Sequence, residues 1–302
     1  MLAMPKTEEQ LGFLRSHLRD RGLLGREFHI GLHKRGHTWR WSDHNEVNMD
    51  SNFNDLYGED SNDVNCGVFF KGHIRSSKCS KARSYICEIK RGMEAVRILA
   101  FGDSLTRGYY GGGKEHHPYT EKLEFLLNTD SHKCFIVDNQ GKDKEFAADM
   151  TKRLNKYLQK APSWYKWIII LGGTNDIVHD KRPPLEKNWD RVVHDVIMAH
   201  QTAHKYGFNT IVVTIPEIDC EQTPKSDCRR MHKERLYVNE RLRHYAMETS
   251  AAVLSDLAWL LPRYALEAEK RLYFWESGLH MKPRGYDKMA EIIYKDIVRN
   301  MK

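Results

Sequence analysis

Ser104, Gly141, Asn175 and His280 lie far apart along the chain, yet each falls in a short polar or glycine-containing stretch at the edge of a regular element. Ser104 stands in GDSLTRG after the apolar run VRILAF, Gly141 in NQG after CFIVD, and Asn175 in GGTND after WIIIL. His280 closes WESGLH, just ahead of the amphipathic stretch PRGYDKMAEIIYKDIV. Each has an ordinary structural use, since glycine makes tight turns and Ser or Asn caps helices. Together they are a hydroxyl, two donors and a base. A serine hydroxyl is a poor nucleophile until an imidazole takes its proton, and the tetrahedral oxyanion of acyl transfer needs donors already aimed at it. Ser104 with His280 answers the first need, and the Asn175 amide with the Gly141 N–H answers the second. Thr106 stands where G-x-S-x-G has its second glycine, so a strained nucleophile elbow is not expected.

Such residues converge only if the elements before them lie side by side. From about residue 94 onward, the runs VRILAF, CFIVDN, WIIILGG, TIVVTIP and AAVLSDL alternate with helix-period segments such as WDRVVHDVIMAHQTAH and ERLYVNERLRHYAM. Buried strands alternating with amphipathic helices predict a doubly wound α/β domain with a parallel sheet, whose chemistry collects beyond the carboxyl ends of its strands. Residues 1–90 differ, being rich in Asn, Asp, Ser and Gly, with helical periodicity only at TEEQLGFLRSHL. The change near KRGMEA divides the chain into residues 1–90 and 91–302.

FGDSLTRGYY, DNQGKDKEF, LGGTND and WESGLHMKPRGYDKM stand in the order of the SGNH hydrolases, the GDSL esterase and lipase family, which residues 97–302 resemble. HHPYT at 116–120 and TIPE at 214–217 are similar to stretches of one subgroup of that family. The resemblance implies a five-stranded, flavodoxin-like sheet and a serine esterase cleaving a carboxyl ester without a cofactor. It assigns Ser104, flanked by Gly102 and Asp103, as nucleophile, Gly141 and Asn175 as oxyanion donors beside the Ser104 N–H, and His280 as general base. One place departs from the family pattern. Members usually carry Asp three residues before the histidine, where this chain has Ser277, with Glu276 one step earlier. Either Glu276 or Ser277 then orients the His280 ring, or the domain is a weak or inactive binding module that keeps the fold.

EFHIGLHKRGHTWRWSD, NCGVFF and SKCSKARSYICEIK are similar to the later part of a C-type lectin-like domain, a mixed α+β fold. That resemblance pairs Cys66 with Cys79 and places the partner of the closing Cys87 upstream of Met1, so the domain reads as partial and Cys87 as unpaired. Calcium-dependent sugar binding needs oxygen ligands. Where that family has Glu-Pro-Asn this chain has Glu59, Asp60 and Ser61, and in place of Trp-Asn-Asp it has Ile74, Arg75 and Ser76. Calcium-dependent sugar binding is therefore not expected, although a small or glycan-borne acyl ester remains the natural substrate class for such a pairing of domains.

With 302 residues, 40% hydrophobic and 29% charged, the composition is globular. The formal charge of +7 is scattered through patches such as RSSKCSKAR and CRRMHKER and forms no basic arm, which argues against a nucleic-acid partner. No apolar run reaches the length of a membrane span, and MLAMPKTEEQ lacks the basic start and apolar core of a secretory signal. Lectin-like disulfides imply an extracellular or lumenal parent, so compartment is left open. His200 and His204 are spaced as in H-E-x-x-H, but Gln201 cannot act as the base, and a solvated helix face is expected; no metal is implied. His29, His33 and His37 read as surface histidines, and Cys220 and Cys228 flank a loop across which they could pair.

If the imidazole lacks its carboxylate, Ser277→Asp supplies one. Steady-state kinetics on a p-nitrophenyl ester should show kcat rising about ten-fold or more with KM little changed, because the gain is confined to the transition state.

Overall fold

The computed structural model describes the whole chain except residues 1, 36, 48–55, 57–65, 80–82, 87, 89–94, 130–132, 161–164, 180–188, 220–224, 277 and 301–302. Ser277, Cys87, Cys220 and the acidic run containing Glu59, Asp60 and Ser61 thus lie outside the described residues. Two compact units result, one formed by Met1–Ala95 with Glu124–Phe135, the other by Val96–Leu123 with Ile136–Lys302.

The first unit opens with helix α1 (Glu8–Asp20), started by a capping box in which the Thr7 side chain accepts from the Gln10 N–H. Leu11, Leu14 and Leu18 recur at helical spacing and are its buried residues. Strands β1 (Phe28–Arg35), β2 (Thr38–Trp41), β3 (Cys66–Phe70), β4 (His73–Ser77) and β5 (Ser84–Tyr85) form one sheet. In β2 the period of two buries Trp39 and Trp41 and leaves Thr38 and Arg40 partly exposed. Cys66 and Cys79 are bridged. Ile74 is fully buried in β4 and Arg75 pairs with Glu27. His29 is buried in β1, not on the surface: it stands on the strand face opposite Phe28, Ile30 and Leu32, where its ring centroid lies 4.7 Å from that of Phe125.

From Val96 onward the chain runs β6 (Val96–Gly102), α2 (Ser104–Arg107), β7 (Tyr109–Tyr110), β8 (Glu115–His116), α3 (Tyr119–Thr129, shared between the units at Glu124), β9 (Phe135–Gly141), α4 (Ala147–Leu158), β10 (Tyr165–Leu171) and α5 (Thr174–His179). It continues through α6 (Trp189–Lys205), β11 (Asn209–Val213), α7 (Ser226–Glu248), β12 (Ala252–Ser255), α8 (Leu257–Leu260), α9 (Ala268–Phe274) and α10 (Pro283–Asn300). The five apolar runs of the sequence become a five-stranded sheet in the order β12-β11-β10-β6-β9, with β12–β11, β11–β10 and β10–β6 paired in parallel. In chain order within the unit this is 2-1-3-4-5, the flavodoxin-like arrangement. Its centre is apolar throughout: Ile98, Leu99, Ala100 and Phe101 of β6 and Ile168, Ile169, Ile170 and Leu171 of β10 are all buried. The order reverses between β6 and β10, so a crevice opens where Ser104 and Asn175 follow those two strands. Among the described residues no helix is long and apolar enough to cross a membrane. Cys134 and Cys228 each take part in a disulfide.

His200 is not on a solvated face. Val192, Val196 and Ala203 stand eight, four and three residues from it on the buried side of α6, so the helical period carries it inward. Its Nδ1 lies 2.9 Å from Thr210 Oγ1, which also meets His204 Nε2 at 3.0 Å, and Tyr245 OH lies 3.2 Å from His204 Nδ1. Burial pushes the pKa of His200 down to about 3, and His204 below its usual value. In the unfolded chain these rings take a proton at about pH 6.5, so stability present above that pH is lost as pH falls toward the folded value. His200→Gln should flatten this slope by up to one proton, about 1.4 kcal/mol per pH unit. Urea unfolding of both proteins between pH 7 and 4 measures it, and equal slopes would refute the buried neutral ring.

Candidate active site

Asp103 and Ser104 leave β6 in a turn that starts the four-residue helix α2. Asp103 Oδ1 accepts the Leu105 N–H at 2.9 Å, and burial pushes this carboxyl up to about 7. Ser104 is buried, and its Oγ lies 3.0 Å from His280 Nε2. Burial also lowers the pKa of His280, against the pull of the carboxylates of Glu276 and Asp143, which keeps the ring neutral and able to accept a proton near pH 7.

The histidine loop is tied at several points. A bridge joins Trp275 to Met281, and the Glu276 N–H donates to the His280 carbonyl at 3.0 Å. Asp219 brackets Gly278, accepting its N–H on Oδ2 and donating its own N–H to its carbonyl, both at 3.1 Å. The Arg263 guanidinium, buried and paired with Asp219, donates to the carbonyls of Gly278 at 2.8 Å and Glu276 at 2.9 Å. Neither Asp219 nor Arg263 figured among the sequence candidates. Asp219 follows TIP after the fourth apolar run, the kind of strand-end position that marked Ser104 and Asn175.

Glu276 does not orient His280 by a hydrogen bond. Its carboxylate accepts the Gly111 N–H at 3.1 and 3.2 Å, and among the described residues no side chain hydrogen-bonds His280 Nδ1. One step nearer the bridge than position 277, Glu276 leaves the loop on the side of residue 111.

Asn175 opens α5 and is buried, with its Nδ2 donating to the Glu145 carbonyl at 3.0 Å. One of its two amide hydrogens is so fixed, which sets the plane of the group and leaves the other for a ligand. Glu145 is itself buried and held by Arg153, with Nε–Oε1 2.7 Å and Nη2–Oε2 2.6 Å. Arg153 reaches on to the Gln140 carbonyl at 3.0 Å and lies 3.8 Å from the centre of the Phe101 ring. Gly141, the expected oxyanion donor, sits against the Arg107 backbone. Its N–H donates to Asn139 Oδ1 at 2.9 Å, and a Cβ there would fall 2.2 Å from the Arg107 amide nitrogen. Glycine is demanded at 141 by the closeness of the two backbones, and its N–H is already taken. Among the described residues no cluster of His, Cys, Asp and Glu is arranged to hold a metal ion.

Residues 100–288 match the family model of the GDSL-like lipases and acylhydrolases, and residues 1–89 that of the C-type lectin domain. No curated protein matches the sequence. Among solved structures, the chain is similar to a lipolytic protein of the G-D-S-L family from Veillonella parvula, at 22% identity and a TM-score of 0.53 over 68% of this chain and 100% of that one. It is similar to a lipase/acylhydrolase from Enterococcus faecalis at 21% identity and a TM-score of 0.52, over 67% of this chain and 95% of that one. A carbohydrate acetylesterase family member from Sinorhizobium meliloti is similar at 16% identity and a TM-score of 0.53, over 68% of this chain and 98% of that one. At such identities the likeness is one of fold.

Because Asp219 and Arg263 hold the loop that carries His280, loosening them should misplace the imidazole with no change at Ser104 itself. Asp219→Ala should slow labelling of Ser104 by a fluorophosphonate about a hundred-fold, the scale of an ångström-sized misplacement. Labelling at the unsubstituted rate by a folded variant would contradict this.

Proposed function

Since the chain belongs to the GDSL-like lipase/acylhydrolase family, we propose that its second unit is a serine esterase that cleaves a carboxyl ester through an acyl-enzyme. The observation that carries the reading is the 3.0 Å approach of Ser104 Oγ to His280 Nε2. Ser104 Oγ attacks the ester carbonyl carbon and its proton passes to His280 Nε2. The oxyanion is met by the Ser104 N–H and the free amide hydrogen of Asn175, while Gly141 packs against the Arg107 backbone with its N–H on Asn139 Oδ1. Collapse breaks the bond to the alkoxy oxygen, which leaves as alcohol with the proton from His280. Water then repeats the attack on the acyl-serine, His280 again takes and returns a proton, and a carboxylic acid departs.

The substrate class we favour is a small acyl group on an alcohol or a glycan. Two facts support it: the C-type lectin match at residues 1–89, and the fold neighbour described as a carbohydrate acetylesterase. A second reading, a binding module with little or no turnover, draws on the absence of a side-chain partner on His280 Nδ1 among the described residues. A carboxylate at that place contributes up to about ten-thousand-fold in other triads, and without it the pair is weakened but not disabled.

Hydrolysis of a p-nitrophenyl ester series decides between them. The esterase reading expects short-chain turnover that falls at least about a thousand-fold in Ser104→Ala and in His280→Ala. It also expects kcat/KM to climb with pH to a plateau, with an apparent pKa below about 6.5, because the base must be neutral and burial lowers its pKa. Turnover equal in Ser104→Ala and the unsubstituted protein would sink the reading.

A further inference from the structure

His280 is held on one side by something other than a carboxylate. The ring of Tyr109 lies against it, with centroids 4.4 Å apart and planes inclined by 34°. Tyr109 begins the two-residue strand β7, which pairs with β8 as a small hairpin (Tyr109 with His116, Tyr110 with Glu115) directly after the nucleophile helix α2. The tip is Gly111–Gly113, with φ of 63°, 65° and 86°, values that L side chains rarely adopt.

The tyrosine is fixed from several directions. Tyr286, on the helix that follows the histidine loop, donates its hydroxyl to the Tyr109 carbonyl at 2.8 Å. His116 meets the tyrosine ring edge-on, with centroids 6.1 Å apart and an interplanar angle of 87°. At Gly113 a Cβ would fall 2.2 Å from the Tyr109 hydroxyl, so the glycine makes the space that the phenol occupies. The Glu276 carboxylate, meanwhile, binds the Gly111 N–H at the hairpin tip. The acid closest to the expected orienting position therefore clamps the hairpin, and the hairpin puts an aromatic face on the histidine.

We propose that Tyr109 is a positioning residue for His280, with its ring face doing the work that a carboxylate on Nδ1 does elsewhere. Stacking limits rotation of the imidazole, so Nε2 stays aimed at Ser104. When Nε2 takes the serine proton, the imidazolium lies against the negative face of the phenol ring, which favours the cation. The hydroxyl has no part in this. The proposal rests on the reading of Ser104 and His280 as an ester-hydrolysing pair, but the ring contact is measurable without turnover.

The test combines kinetics on p-nitrophenyl acetate with NMR of the His280 ring protons through a pH titration. Tyr109→Leu should lower kcat about ten-fold with KM within about two-fold, and depress the His280 pKa. Tyr109→Phe, which keeps the ring, should restore what Tyr109→Leu loses. Pentafluorophenylalanine at 109 has nearly the same shape and a reversed ring quadrupole, so it should behave like leucine even if Tyr109→Leu does not fold. Ser277→Asp added to Tyr109→Leu should recover most of the lost kcat, because the two devices serve one ring. The proposal is overturned if Tyr109→Phe is as damaging as Tyr109→Leu, or if the fluorinated ring leaves kcat and the titration unchanged. An unsubstituted protein without turnover would remove the esterase reading alone, with the titration still deciding the ring contact.

Discussion

The contact between Ser104 Oγ and His280 Nε2 joins residues 176 positions apart, and most of the second unit serves to bring them together. Ser104 is delivered by an interior strand whose residues from Ile98 to Gly102 are buried, and its position follows from sheet pairing. His280 is delivered by a loop with no strand beneath it. Its position depends on polar ties, chiefly those of Asp219 and Arg263 to the backbone around Gly278. The two halves of the pair thus rest on different physics: apolar burial for the nucleophile, and charged hydrogen bonds for the base.

Around this contact several acids are buried or half-buried. Burial pushes Asp103 up to about 7 and Asp176 up to about 6, the latter while accepting the Ala147 N–H at the start of α4. Glu145 makes a two-point contact with Arg153, and through its carbonyl the pair fixes Asn175. The Asn175 side of the site is therefore supported by an ion pair and by helix-start hydrogen bonds, not by loop residues alone. Removing Arg153 would leave the buried Glu145 carboxylate uncompensated, which costs about 3–5 kcal/mol. The pair therefore ties the site's geometry to fold stability.

What could be read from the sequence follows the same division. The apolar runs foretold all five strands of the second unit's sheet, because buried parallel strands write continuous hydrophobic stretches. Strand ends pointed to Ser104 and Asn175 for the same reason. Polar ties between distant loops leave no such trace, so Arg263, Glu145 and Arg153 were not evident, and Asp219 was marked only by following a strand end. Glu276 was considered for the histidine, but its direction depends on a loop conformation that no periodicity encodes, and it faces Gly111. His200 was legible in principle, since Val192, Val196 and Ala203 place it on the inner arc of α6. The tyrosine against His280 was hidden because YYGGGKEHH reads as an open turn, whereas three left-handed glycines fold it into a hairpin.

The central claim is that Ser104 forms a covalent bond to the acyl group in the course of turnover. Acid quenching during hydrolysis of p-nitrophenyl acetate, followed by peptide mass spectrometry, tests it directly. The account predicts a mass gain equal to one acetyl group on the peptide containing Ser104, absent from His280→Ala quenched at the same time. Turnover without any acetylated peptide, or with the acetyl group on another residue, would contradict it.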